Sequence, residues 1–173
     1  MHLLKGLTLL GVAAACVNAG AADSEPGSWH RYMCAEAGYS IEFPAKPKVT
    51  TKMRNFFGRQ VPQTQAMYDK VKTFGMFVKD SDLAGAHIAG RERQFVDDAV
   101  RSYRFEGATT TKPIPFTWQG VPGSYLKIVK NKMEVRMYAL VHKNHYIEFC
   151  ICGVEGKLDM KTGKRFIDSL KLF

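Results

Sequence analysis

The chain is 173 residues long, 46% hydrophobic and 24% charged, with a formal net charge of +9. That balance excludes a disordered, low-complexity or collagen-like chain. No apolar run reaches the ~20 residues that a membrane-spanning helix needs, so an integral membrane protein of helical type is not expected.

The N-terminus reads as a secretory leader. Met1 to Lys5 is a short basic start, Gly6 to Val17 is apolar apart from Thr8, and Ala19-Gly20-Ala21 is a small-x-small cleavage signal. Residues 1–21 are therefore expected to be removed, leaving residues 22–173 as one domain in a periplasmic or secreted location. Val12 to Cys16 offers an alternative, because small residues before a cysteine resemble a lipobox that would place a lipid on Cys16. Ala13 stands where such sites carry a large aliphatic residue, and soluble release is the expectation. About 150 residues are enough for a proper core.

Ala22 to Ser28 is a polar leader to the domain. Tyr39 to Phe43 alternates and stops at Pro44, which predicts a first strand. Ala45 to Lys48 reads as loop. From Lys46 to Arg59 the chain carries Lys46, Lys48, Lys52, Arg54 and Arg59, with no acid between Glu42 and Asp69. A basic surface concentrates anionic partners, and Phe56 and Phe57 within it either stack on a ligand or join the core. These five residues are the candidate polyanion-binding set, with nucleic acid not the expected polymer.

Gln65 to Val71 and Thr73 to Lys79 are β-like. Asp82 is a candidate N-cap for a helix over roughly Leu83 to Phe105, with Phe95, Val96, Ala99, Val100 and Tyr103 on one face. Gly107 ends it. Pro113 and Pro115 demote Thr109 to Trp118 to an edge strand or loop, and Gly120 to Gly123 reads as a turn. Tyr125 to Lys130, Met133 to Val141 and His145 to Gly153 then form an antiparallel meander, joined at Asn131-Lys132 and Lys143-Asn144. Apolar residues on both faces of the last two strands predict a sheet covered on both sides. Leu158 to Leu170 closes the chain as a helix.

Three cysteines lie beyond the leader: Cys34, Cys150 and Cys152. An oxidising compartment favours a disulfide. Cys150 and Cys152 share a strand face too far apart to pair with each other, so Cys34 is expected to pair with one of them. Such a bridge would stabilise by ~4–5 kcal/mol in the chain-entropy model. All three as reduced core residues is the alternative.

Tyr39-Ser40-Ile41-Glu42-Phe43-Pro44-Ala45-Lys46-Pro47 resembles the Y-S-V-x-F-P-G-K-P opening of many small exported bacterial proteins. Arg165 to Leu172 resembles their R-F-L-D-S-F-x-L ending, and Trp118 to Gly123 is similar to their central x-G-x-P-G turn. These proteins resemble the Mog1/PsbP type. The resemblance implies an α+β fold, an antiparallel sheet between helical layers (an α/β/α sandwich), and an adaptor or assembly role. It supplies no catalytic residues. Leu170, the basic 46–59 segment and the Cys-x-Cys pair depart from the pattern.

No Gly-x-Ser-x-Gly elbow, His-Glu-x-x-His, phosphate-binding glycine loop or Cys-x-x-Cys occurs. Glu92, Asp97 and Asp98 beside Arg91, Arg93 and Arg101 read as solvated ion pairs. Cys152 with His145 is the one nucleophile–base pair to test. His142, His145, Cys150, Cys152 and, at the other end, His30, Met33 and Cys34 supply soft ligands suited to copper or zinc. The expectation is an exported non-enzymatic binding or assembly-support protein of the bacterial envelope, with no cofactor. The alternatives are a polyanion-binding protein using residues 46–59 and a metal-handling protein using the cysteines and histidines.

Overall fold

The computed structural model describes residues 28–70, 74–84, 88–103 and 107–173. The expected leader, its expected cleavage site and Cys16 lie outside the described residues. A small sheet is built from β1 (His30–Cys34), β2 (Tyr39–Phe43) and β11 (Lys171–Leu172), in the order β1-β2-β11. A large sheet carries β3 (Lys48–Phe56), β4 (Arg59–Lys70), β5 (Phe74–Asp82), β6 (Thr109–Thr110), β7 (Ile114–Trp118), β8 (Val121–Lys130), β9 (Met133–His142) and β10 (His145–Val154). Its order is β3-β4-β5-β10-β9-β8-β6, with β7 beside β8, and every pairing is antiparallel.

The expected meander is present, one or a few residues longer at its ends. Its turns place Asn131 and Lys132 at φ 51° and 62°, and Lys143 and Asn144 at 46° and 60°. Positive φ at both central residues gives the turn whose twist matches that of the flanking strands. The same geometry at Gln119 and Gly120 joins β7 to β8, so the turn ends before Val121, and Pro122 and Gly123 belong to β8. Gly123 is needed there because the ring of its β7 partner Phe116 lies across it: a Cβ on Gly123 would stand 2.5 Å from that ring and 2.6 Å from Ala139 O. Pro113 and Pro115 leave β7 as an outlying strand paired only with β8.

Alternation along β9 and β10 divides the interior. Leu140, Ile147, Phe149 and Ile151 face one core, which they share with Tyr39, Ile41 and Phe43 of β2. Met137, Ala139, Val141, Tyr146 and Cys150 face the other. On that second side α1 (Glu92–Ser102) buries Val96, Ala99 and Val100 against β8 and β9. On the first side α2 (Met160–Asp168) inserts Phe166 and Ile167, with Phe166 tilted 5.0 Å from Phe43. The molecule is sheet-dominated. One covering layer is α1, and the other is shared between α2 and the small sheet, where a plain α/β/α sandwich would have helices alone.

α1 begins nine residues later than the sequence pattern suggests. Gly90 adopts φ 76°, and Arg91 rather than Asp82 holds the cap position. Asp82 ends β5 and accepts from the backbone N–H of Ala84 at 2.8 Å, so its side chain shapes the strand exit. Residues 85–87 and 104–106 of the expected helix lie outside the described residues. α2 is capped as its sequence suggests: the Asp159 carboxylate accepts from Thr162 N–H at 3.0 Å. The chain then turns at Ser169, whose Oγ accepts from Glu42 N–H at 2.8 Å and ties α2 to β2.

Candidate functional site

The segment read as loop and basic patch is a hairpin. Its strand character escaped the periodicity test because β3 is exposed along nearly its whole length, leaving no apolar alternation to detect. Among the described residues β3 is an edge strand, paired only with β4. The register Gln63↔Ser81 is where β4 starts to pair with β5, so residues 59–62 and their partners 53–56 extend past the rest of the sheet. Pro62 sits in this overhang, where β5 no longer runs alongside.

Strand parity then decides where the charges go. Lys48, Lys52 and Arg54 alternate on one face, followed by Phe56, and Arg59 stands opposite Phe56. Four of the five predicted basic residues are thus collected on one side, spaced by about 13 Å and about 7 Å along β3. Lys46 precedes the strand and is exposed. Among the described residues no ion pair joins Lys48, Lys52 or Arg54 to a carboxylate. α1 does not neutralise them either, because Asp97 is 3.0 Å from Arg93 and Asp98 is 3.8 Å from Arg101.

The tip is held by aromatic packing. Phe56 lies 5.1 Å from Tyr146 and 5.9 Å from Phe95, while Phe57 is 5.4 Å from Phe95 and still 57% exposed. The two phenylalanines therefore divide the roles the sequence left open: Phe56 anchors and Phe57 is presented. Met53, 60% exposed, projects from the opposite face. The arrangement offers cations, an apolar tip and an unpaired strand edge to a partner.

The cysteine expectation is corrected. Cys34, Cys150 and Cys152 form no disulfide with one another. Cys34 packs in the core beneath the small sheet and Cys150 in the core beneath α1, so the large sheet itself separates them. Cys152, two residues along β10 from Cys150, keeps to the α1 face and is half-buried. Burial pushes both thiols above their ordinary value, with Glu148 adding to the effect at Cys150 and Asp69 at Cys152.

The histidines and cysteines are not gathered into one shell. His142 and His145 face each other across the β9–β10 turn. His142 Nε2 lies 3.3 Å from Phe173 O, and His145 Nδ1 lies 3.3 Å from Asp80 Oδ1. Cys152 is seven residues from His145, about 24 Å of strand, on the opposite face. Among the described residues no group of three or more His, Cys, Asp or Glu is placed to hold a metal ion.

Two buried polar clusters went unnoticed in the sequence. Asp80 accepts from Tyr39 O–H at 3.1 Å and meets His145 on its other oxygen. Glu148 accepts from Tyr103 O–H and lies 3.9 Å from Lys79 Nζ. A carboxylate at an inward-facing strand position is the signal that marks both, but the hydrogen-bond partners lie 41 to 65 residues away and only pairing reveals them.

No family model and no curated protein sequence matches the chain. Among solved structures it is similar to the solution structure of cyanobacterial PsbP (CyanoP) from Synechocystis sp. PCC 6803, at 13% identity and TM-score 0.53. That match covers 94% of this chain and 100% of the other. The fold is PsbP-like. A crystal structure from Bacteroides thetaiotaomicron VPI-5482 matches at 10% identity and TM-score 0.39, over 79% of this chain and 45% of that one, and at that score carries no argument. The Synechocystis match agrees with the fold implied by the motifs at residues 39–47, 118–123 and 165–172.

Proposed function

We propose that the chain is an exported, non-enzymatic binding protein that supports assembly in the bacterial envelope, and that the β3–β4 hairpin is the surface it uses. One observation carries the reading. Lys48, Lys52, Arg54 and Arg59 share one side of a projecting edge hairpin that ends in the exposed Phe57. Like charges along β3 oppose pairing with a second copy of the chain. They favour an acidic segment of another protein, which could add to the free edge while its carboxylates meet the basic side chains. The export leader supports the envelope location.

The test is capture of partners from envelope extract at low and high salt, by the native chain and by a variant with Lys48, Lys52, Arg54 and Arg59 all changed to Gln. The expected result is a defined partner held at low salt, released as salt rises, and lost with the variant. Undiminished capture by the variant removes the hairpin from the reading.

The run of basic side chains along one strand face favours a second reading, an anionic glycan. Retention on heparin that falls with the same fourfold variant, without any protein captured, would select it.

A further inference from the structure

An acidic partner at the β3–β4 hairpin uses its edge and its cations and leaves its exposed apolar residues without a role. Phe57 and Gly58 are the central residues of the hairpin turn, at φ 50° and 81°. Asparagine or glycine takes the first of these positions at low cost, and a bulky aromatic there is uncommon. Packing against Phe56 and Phe95 offsets only part of that cost, since Phe57 stays 57% exposed. Met53, 60% exposed, projects from the opposite face, across from the exposed Pro62. Arg54 and Arg59 flank the turn, with Lys52 next along β3 on the same side. Asn55 Oδ1 accepts from Gly58 N–H at 2.9 Å, which fixes the turn and gives one of its backbone donors a partner without water.

A protein surface meets a hairpin on one face, whereas an apolar phase entered end-on surrounds both. At this projecting end the apolar side chains stand on both faces, with cations just behind them. We propose that the hairpin tip docks on an anionic bilayer: Phe57, Met53 and Pro62 enter the boundary between headgroups and acyl chains, and Lys52, Arg54 and Arg59 reach the lipid phosphates. Charge complementarity selects the surface, because each basic side chain near an anionic leaflet strengthens binding. Long basic side chains also suit the depth, laying their stems along apolar surface while the charged heads stay at the phosphates. Entry is shallow and reversible, as expected of a few apolar residues combined with a basic patch. This contact goes beyond the acidic-partner reading and does not rest on it, since the tip meets lipid while the edge of β3 stays free.

The experiment takes the chain without its expected leader and vesicles of equal parts phosphatidylcholine and phosphatidylglycerol, with phosphatidylcholine alone as the neutral control. In co-sedimentation the native chain should bind the anionic vesicles in preference to the neutral ones, and less as salt rises. Met53→Ser combined with Phe57→Asn keeps every cation and the free edge, and asparagine tolerates the positive φ. That double variant should bind the anionic vesicles about tenfold more weakly or worse, the effect of withdrawing two apolar side chains from lipid. Phe57→Trp reports the depth: brominated acyl chains should quench its added emission, measured against the native chain with Trp29 and Trp118 alone. Equal binding by the native chain and the double variant, or an added tryptophan that bromine does not quench, overturns the insertion, because charge alone then accounts for adsorption. Equal binding to neutral vesicles overturns the role of the cations, and no binding to either overturns the membrane contact. Partner capture by the double variant should persist, so a failure here leaves the acidic-partner reading standing.

Discussion

Asp80 is the residue on which the most converges. It is buried at the β4–β5–β10 junction, with Tyr39 on one oxygen and His145 on the other. Burial pushes the Tyr39 phenol well above its ordinary value, and the Asp80 charge pushes it further, so it remains a donor. Tyr39→Phe leaves Asp80 short of that donor and should cost about 1–3 kcal/mol in denaturant melts. For His145, burial works against the charged ring. The Asp80 hydrogen bond and charge, helped by Asp82 and Glu36, together outweigh it and raise the pKa. A folded value above the unfolded one means the stabilisation is complete below the unfolded pKa, ~6.5, and is lost as pH rises through the raised folded value. Urea midpoints should therefore fall as pH rises across that window, and His145→Gln should flatten the fall. A native chain whose midpoint rises there contradicts the assignment.

At the scale of elements, α2 shows how sequence turns into packing. Asp159 caps it, and hydrogen bonds from Thr162 hold its carboxyl below the usual value. Asp159→Ala should cost about 1 kcal/mol. Phe166 is fully buried against Phe43, and Phe166→Ala should cost about 3–5 kcal/mol by cavity formation. Thermal melts that reverse this order would mean that α2 is held by its cap and not by its apolar face. The meander was legible because its strands alternate and its turns hold Asn and Lys at positive φ. β3 was not, because an edge strand with both faces wet has no period to read. β1 and β11 escaped for other reasons: in β1 Tyr32, Met33 and Cys34 follow one another without alternation, and the two residues of β11 are too short for a pattern.

For the whole molecule, the large sheet is a partition. It keeps Cys34 apart from Cys150 and Cys152, and so removes the expected bridge. A thiol reagent added to the folded chain should reach Cys152 first, because the other two are buried, and all three should react once the chain unfolds. Simultaneous slow labelling of all three would mean that opening is global. The same partition puts the basic hairpin and the Glu148 cluster on the α1 side, while the Asp80 cluster belongs to the side of the small sheet.

Apolar alternation and turn residues were enough to specify an antiparallel α+β fold, because they act between near neighbours along the chain, whereas the PsbP-like type was implied by resemblance and is carried by the structural match. The five basic residues were visible too, but as a list. The collection of four of them on one face awaited the register of β3 on β4. Likewise Glu148 and Asp80 are ordinary acids in sequence. They become buried acceptors, Glu148 for Tyr103 and Asp80 for Tyr39 and His145, only when strands distant in sequence lie side by side, since burial and hydrogen-bond supply are properties of the packed sheet.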